Sequence, residues 1–184
     1  MRIWLEDIET GKPAELSYKT TLSAGFDIPC KVVFDEQRGI TKVPLVRNST
    51  PTVVSTGLRL RYEATEAEIA SGLPFLMLVP RSSSVKHGIR LMNSPAVIDL
   101  DYEGEIVLQL QNEHPRHNAI YIGSGESYVQ GMFISTVRAD FEVVNKIRGK
   151  GGLGSTTTTS QEEEPAKQIF KATKVATSKP STTK

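Results

Sequence analysis

The chain has a single cysteine, Cys30, among 184 residues. An intrachain disulfide framework and a multi-cysteine zinc site are therefore both excluded. Its three histidines show no metal-ligand spacing: His114 and His117 flank Pro115-Arg116 in a polar stretch and read as surface residues, and His87 stands apart. Long hydrophobic runs are missing too, and nothing approaches the ~18 apolar residues of a conventional membrane-spanning helix. Charge of one sign is not in excess: 22 basic residues face 21 acidic ones, for a net +1. That balance leaves no broad footprint for a nucleic acid. No repeat of solenoid or propeller length is visible. Met1-Arg2-Ile3-Trp4-Leu5 runs at once into Glu6 and Asp7, which does not read as a secretory leader. The expectation is a soluble protein of the cytoplasm or another intracellular compartment, the nucleus included, with neither a membrane nor a stable nucleic acid as partner.

What the chain does have is 38% hydrophobic residues, enough for one packed domain and short for two. Composition changes near residue 157, where Thr157-Thr158-Thr159-Ser160 leads into Gln161-Glu162-Glu163-Glu164-Pro165. Residues 161–184 hold 3 acidic and 5 basic side chains and few large apolar groups. Such a segment buries too little to offset its ordering entropy, so a disordered tail is expected there. A polar tail with no partner is the plainer reading, and a short peptide that docks to a protein partner through Ile169-Phe170 is the alternative. The division that follows is a β domain over 1–147, a glycine-rich arm over 148–160 and the tail.

The body reads mostly as strands, at 3–8, 31–34, 42–46, 52–60, 73–79, 106–110, 132–137 and 141–144. Turn clusters rich in Gly, Pro and Asn separate them, the pattern of an all-β sandwich or barrel. Thr65 followed by Glu68 has the spacing of a capping box and predicts one or two helical turns ending at Ser71-Gly72.

Three segments carry chemistry. Pro80-Arg81-Ser82-Ser83-Ser84-Val85-Lys86-His87-Gly88 packs two cations and three hydroxyls behind an apolar strand. Those groups suit a phosphate, and an ordinary solvated loop has the same composition. In the run from Asn93 to Ile106, strand periodicity puts Asp99 and Asp101 on one face and Leu100 and Tyr102 on the other. A carboxylate held there can orient a water or a hydrated metal, or merely cap a turn. Arg148-Gly149-Lys150-Gly151-Gly152-Leu153-Gly154-Ser155-Thr156 places four glycines among two cations and two hydroxyls. Glycine lets backbone amides wrap an anion. The Gly-Lys-Ser/Thr order of a Walker loop is absent, and a plain flexible linker looks the same. Asp27 enters a strand from Ser23-Ala24-Gly25-Phe26, and Gln130 precedes Gly131 and an apolar run.

In this order the segments resemble five motifs of the trimeric dUTP pyrophosphatase (dUTPase) family. Ser23-Ala24-Gly25-Phe26-Asp27 is similar to the first. Pro80-Arg81-Ser82-Ser83 with Lys86-His87-Gly88-Ile89 is similar to the second, and Asn93 to Ile106 to the third. Gly125-Glu126-Ser127-Tyr128-Val129-Gln130 resembles a degraded fourth, and Arg148 to Thr156 the fifth. The resemblance implies a jelly-roll-like fold and a homotrimer that exchanges C-terminal arms and holds its sites between subunits. It implies hydrolysis of dUTP to dUMP and pyrophosphate with Mg2+. In that carry-over Asp99 directs the attacking water at the α-phosphorus, and Tyr102 lies beneath the deoxyribose. Asn93, Ala96, Val97 and Ile98 read the uracil edge, and Leu153 covers the ring. Arg81, Ser82, Ser83 and Gln130 contact the phosphates, and Arg148, Gly152, Gly154, Ser155 and Thr156 close over them. Asp27 holds the metal through water.

The chain departs from the family pattern at Leu153, where phenylalanine is usual, and at Ala96, where glycine is usual. The fourth motif lacks its Arg-Ile-Ala run. A dCTP deaminase or a bifunctional relative of the same fold is the enzyme alternative. A nucleotide-binding regulatory trimer with impaired turnover is the other. Deleting residues 161–184 is expected to leave dUTP turnover unchanged, measured as pyrophosphate release beside the full chain.

Overall fold

The structure is a computed structural model that describes residues 1–32, 41–70 and 72–136. In chain order its elements are β1 (Arg2–Asp7), β2 (Phe26–Ile28), β3 (Lys42–Val46), β4 (Thr52–Ser55), β5 (Leu58–Glu63), α1 (Glu66–Ala70), β6 (Pro74–Pro80), α2 (Ser82–Lys86), β7 (Ile89–Leu91), β8 (Ala96–Ile98), β9 (Val107–Asn112), β10 (Ala119–Gly123) and β11 (Val129–Ser135). All pairings between these strands are antiparallel, and one isolated parallel bridge joins Arg47 to Asn112 of β9. They build a four-stranded sheet β2-β11-β6-β8, a three-stranded sheet β4-β9-β7 and two pairs, β1-β5 and β10-β3. The expected all-β architecture is present, and neither five-residue helix is long and apolar enough to cross a membrane.

Alternation explains the core. β9 buries Leu108, Leu110 and Asn112 and turns Val107, Gln109 and Gln111 outward. β6 buries Leu76 and Leu78 completely although nearly every residue in it is apolar, because its neighbouring positions lie on the other face. Leu58 and Leu60 of β5, Val54 of β4, Leu45 of β3 and Ile122 of β10 join the same cluster. The polar Asn112 is buried at no cost in lost hydrogen bonds: its Nδ2 donates to Leu45 O at 3.2 Å and His117 O at 3.0 Å, and its Oδ1 accepts from His114 N at 2.8 Å.

Several elements differ from the sequence expectation. The single strand over 52–60 is two strands, broken at Gly57, whose φ is +67°. A Cβ there would stand 2.4 Å from Lys31 Cδ, so the kink leaves room for that side chain. Lys31 and Val32 are not in a strand; the strand of this region is β2, and Lys31 N donates to Ser55 O at 2.8 Å instead. Strand 132–137 begins earlier, at Val129, and 106–110 continues to Asn112. The strand expected at 141–144 lies outside the described residues. The short helix is present as α1, with Thr65 and Glu68 exchanging the capping-box bonds: Thr65 N to Glu68 Oε2 at 2.8 Å and Glu68 N to Thr65 Oγ1 at 3.3 Å.

β1 is tied to β5 by charge as well as by its ladder. Glu6 faces Arg59 in the register, and its carboxylate accepts from Arg59 Nε at 2.6 Å and Arg61 Nε at 3.1 Å. The Arg59 bond, opposed by desolvation and assisted by Arg61, holds Glu6 below the 4.5 of an unperturbed glutamate. A lowered folded-state value means that this contribution is complete above the unfolded value and fades as pH falls through the folded one. Thermal melting from about pH 5 down to 3 is expected to show a steeper acid loss in the native protein than in Glu6→Gln.

Candidate active site

Two groups of expected site residues sit at the two ends of β6. At its C-terminal end, Arg81 follows Pro80 and opens α2. β11 runs beside β6 and β2 beside β11, so Gln130 faces both Val79 and Asp27. Arg81 Nε lies 3.0 Å from Asp27 Oδ1, and its Nη1 donates to Ser127 O at 2.7 Å. Gln130 Nε2 donates to Pro80 O at 3.4 Å. Gly25 completes the cluster: a Cβ there would meet Gln130 Oε1 at 3.1 Å and Gly131 O at 3.2 Å. Residues from the first, second and fourth motifs therefore form one polar surface. Ser82 is exposed, Ser83 half-buried and Ser84 buried. The Ser82–Lys86 segment is a helical turn rather than an open loop, and the Ser84 hydroxyl bonds Tyr128 O.

On the other edge of β6, β8 pairs so that Ala96 faces Leu78, Val97 faces Met77 and Ile98 faces Leu76, and the chain leaves β8 toward the N-terminal end of β6. Asn93 lies exposed in the turn before β8, and Val97 is 49% exposed on it. Ala96 is buried as an ordinary strand residue. Among the described non-glycine residues only Asn48 has a positive φ, so alanine at 96 imposes no left-handed strain. The strand periodicity expected for 99–102 does not hold. β8 ends at Ile98, and a turn follows, closed by Tyr102 N donating to Asp99 O at 3.1 Å. Leu100 is buried, Asp99 and Tyr102 are half-buried, and Asp101 is exposed. The turn thus takes Asp99 and Asp101 out of the alternation of a strand and leaves them differently exposed.

The Tyr102 ring is fixed from two sides. Its hydroxyl donates to Glu105 O at 2.9 Å, and its ring covers Gly104 so closely that a Cβ there would stand 2.5 Å from the phenolic oxygen. Glu105, which sequence reasoning passes over, anchors the segment: its Oε1 accepts from Gly57 N at 2.7 Å, from Thr56 N at 3.2 Å and from the Ser55 hydroxyl. Lys19 is the second residue missed, with Nζ 3.4 Å from Asp27 Oδ2. Neither shows a local signal, since Glu105 reaches partners about fifty positions away.

With Lys19 on one oxygen and Arg81 on the other, Asp27 is engaged by two cations. No group of three or more His, Cys, Asp or Glu suited to a metal occurs among the described residues. His114 is half-buried rather than fully on the surface, its ring 4.2 Å from that of His117 and its Nδ1 accepting from Arg116 N and His117 N. Arg148, Gly152, Leu153, Gly154, Ser155 and Thr156 lie outside the described residues, so the arm expected to close the site is not placed.

No family model matches the chain. A deoxyuridine 5′-triphosphate nucleotidohydrolase of Cytophaga hutchinsonii is 35% identical over 147 residues, covering 76% of this chain and 82% of the relative. The dUTPase of Streptococcus mutans superposes with a TM-score of 0.55 at 25% identity, over 75% of this chain and 99% of that one. A variant of the dUTPase from phage phi11 of S. aureus, described with a coordinated structural Mg(II) ion, shares the fold with a TM-score of 0.55 at 12% identity. It aligns over 80% of this chain and 99% of its own.

Gly104→Ala is expected to push the Tyr102 ring off its seat and to cost about 1–3 kcal/mol through overpacking. Urea denaturation measures the loss, and near-UV circular dichroism reports the displaced ring.

Proposed function

The chain belongs to the dUTPase family of hydrolases, and from that membership we propose that it hydrolyses dUTP to dUMP and pyrophosphate at sites completed between the subunits of a homotrimer. The observation that carries this reading is the placement of the two half-sites. Ile98 pairs with Leu76, five positions before Arg81. At the ~3.3 Å rise of a strand this puts the Asp99 turn some 17 Å from the Arg81 cluster. A general base works only within hydrogen-bond reach of its water, and the phosphates of one nucleotide do not span that gap. The Asp99 end of one chain therefore serves a nucleotide whose phosphates rest on the Arg81 end of another.

In each such site Arg81, with Ser82, Ser83 and Gln130 beside it, receives the triphosphate. Asp27 holds the guanidinium in place, which presents its remaining N–H groups to phosphate oxygens. From the neighbouring chain, Asn93 and the β8 backbone from Ala96 through Val97 to Ile98 read the uracil edge. A buried donor–acceptor pattern rejects cytosine, because a mismatch leaves polar groups unpaired. Tyr102, held by Glu105 and Gly104, offers a fixed ring to the deoxyribose. The Asp99 carboxylate accepts a hydrogen bond from a water and aims its oxygen at the α-phosphorus. The new P–O bond forms as the bond to the bridging oxygen of pyrophosphate breaks, and the water's proton passes to Asp99 and on to solvent. Leu153 and the arm residues Arg148, Gly152, Gly154, Ser155 and Thr156 are proposed to close over base and phosphates.

Magnesium fits this donor set only as a passenger of the nucleotide. Asp27, the carboxylate that touches Arg81, is already engaged by Arg81 and Lys19, and among the described residues no group of three or more His, Cys, Asp or Glu offers a cage. A hard cation that keeps its waters and takes phosphate oxygens needs none. Mg–dUTP would then be the substrate, with Asp27 holding the ion through water and the ion supplying charge neutralisation of the phosphates.

Asp99→Asn is expected to remain a folded trimer by analytical ultracentrifugation and to lose about 10²–10⁴-fold in kcat for pyrophosphate release. Arg81→Met is also expected to be nearly inactive alone. Refolding the two variants together is expected to restore partial activity, because some sites then pair an intact Asp99 with an intact Arg81. Mixtures as inactive as their components would overturn the shared site. Ammonia released from dCTP would move the chain to the deaminase class.

A further inference from the structure

Arg81 is held by a segment that the hydrolytic mechanism leaves unused. The turn between β10 and β11 delivers two consecutive carbonyls to it: Ser127 O accepts from Arg81 Nη1 at 2.7 Å, and Tyr128 O accepts from Arg81 N at 3.0 Å. Tyr128 O also takes the Ser84 hydroxyl of α2. The direction of the guanidinium therefore depends on how rigidly the 127–128 backbone is held. Two side chains hold it. Tyr128 Oη donates to Glu126 Oε2 at 2.7 Å, and the same oxygen accepts from Gly123 N at 3.1 Å. The hydrogen bond joins residues 126 and 128 across the Ser127 peptide like a clasp. Behind it, Cys30 N donates to Glu126 O at 2.7 Å and Gly125 N to Cys30 O at 2.8 Å, fastening the turn to the segment that follows β2. The Tyr128 ring meets the His87 ring edge-on, with centroids 5.6 Å apart.

We propose that Glu126 and Tyr128 are positioning residues for Arg81, their carboxylate–phenol bond setting the two carbonyls that aim its guanidinium at phosphate. The inference rests on the reading of Arg81 as a phosphate ligand. Protonation states favour the clasp. Desolvation and the adjacent Glu126 push the Tyr128 phenol upward, so it remains a donor. Burial raises Glu126, but the bonds from Gly123 and Tyr128 outweigh it, with Lys42 and His87 adding to them, and the carboxyl is held below 4.5. The bond is thus charge-assisted throughout the neutral range.

The test removes one hydroxyl. In Tyr128→Phe, KM for Mg–dUTP is expected to rise about tenfold with kcat within about twofold, the signature of lost ground-state phosphate binding. The second readout needs no turnover: the Arg81 Nε–H resonance, assigned by its loss in Arg81→Lys, is expected to be sharp in the native protein and broadened in Tyr128→Phe. Glu126→Gln keeps an acceptor oxygen for Gly123 and Tyr128 and is expected to retain the sharp signal, whereas Glu126→Ala loses it. This pair decides the matter if Tyr128→Phe fails to fold. An unchanged Arg81 signal in both Tyr128→Phe and Glu126→Ala overturns the positioning role, whatever the enzyme hydrolyses. Native protein that turns over no dUTP overturns the hydrolase reading instead, and the resonance still decides whether the clasp holds Arg81.

Discussion

Strand β6 is paired on both edges, with β11 on one side and β8 on the other, and that double pairing organises the molecule. Leu76 and Leu78 anchor it in the core without exposed surface. Because a strand is stiff and its register is set by the buried face, its two ends cannot approach each other. Whatever chemistry the sequence hangs on those ends is kept apart within one chain. The Arg81 surface and the Asp99 turn are the two things hung there, and the proposed reading makes each of them half of a site shared between chains.

Both groups of residues are held by side chains bonding to backbone and by backbone turns. On the Arg81 side the fasteners are the carbonyls of Ser127 and Tyr128 and the carboxylate of Asp27. On the Asp99 side they are Glu105 gripping the 55–57 segment and Tyr102 bonding Glu105 O. Apart from the Tyr102 bond, which spans three residues, these fasteners join stretches distant in sequence, so a change at Gly57 is felt at the Glu105 segment. On the proposed reading, these bonds hold the groups that would receive phosphate in place before it arrives.

Much of this is legible in the sequence. Lys42–Val46 and the apolar run of β6 read as strands, and the Thr65 to Glu68 spacing reads as a helix start, because each signal is local: alternation, β-branched residues, a cap. The nucleotide motifs are legible for a different reason, their order along the chain. The three-residue strands β2, β7 and β8 escape, since a period of two cannot be established over three positions, and so does the five-residue β10, its burial running without alternation. The turn after Ile98 escapes as well, because Asp99-Leu100-Asp101-Tyr102 alternates like a strand while its backbone folds back on itself.

From composition and motif order alone came the all-β class, the strand-rich body and the residues Asp27, Arg81, Asp99, Tyr102 and Gln130 as a set. Only the tertiary structure decided which of these meet: Asp27, Arg81 and Gln130 on one surface, Asp99 and Tyr102 on another. It also brought in Lys19, Glu105, Glu126 and Tyr128 as the groups that hold them. The physical reason is that alternation and capping act between neighbours along the chain. The ion pairs and carbonyl contacts that fix a site act between strands, and their partners are chosen only once antiparallel registers are set.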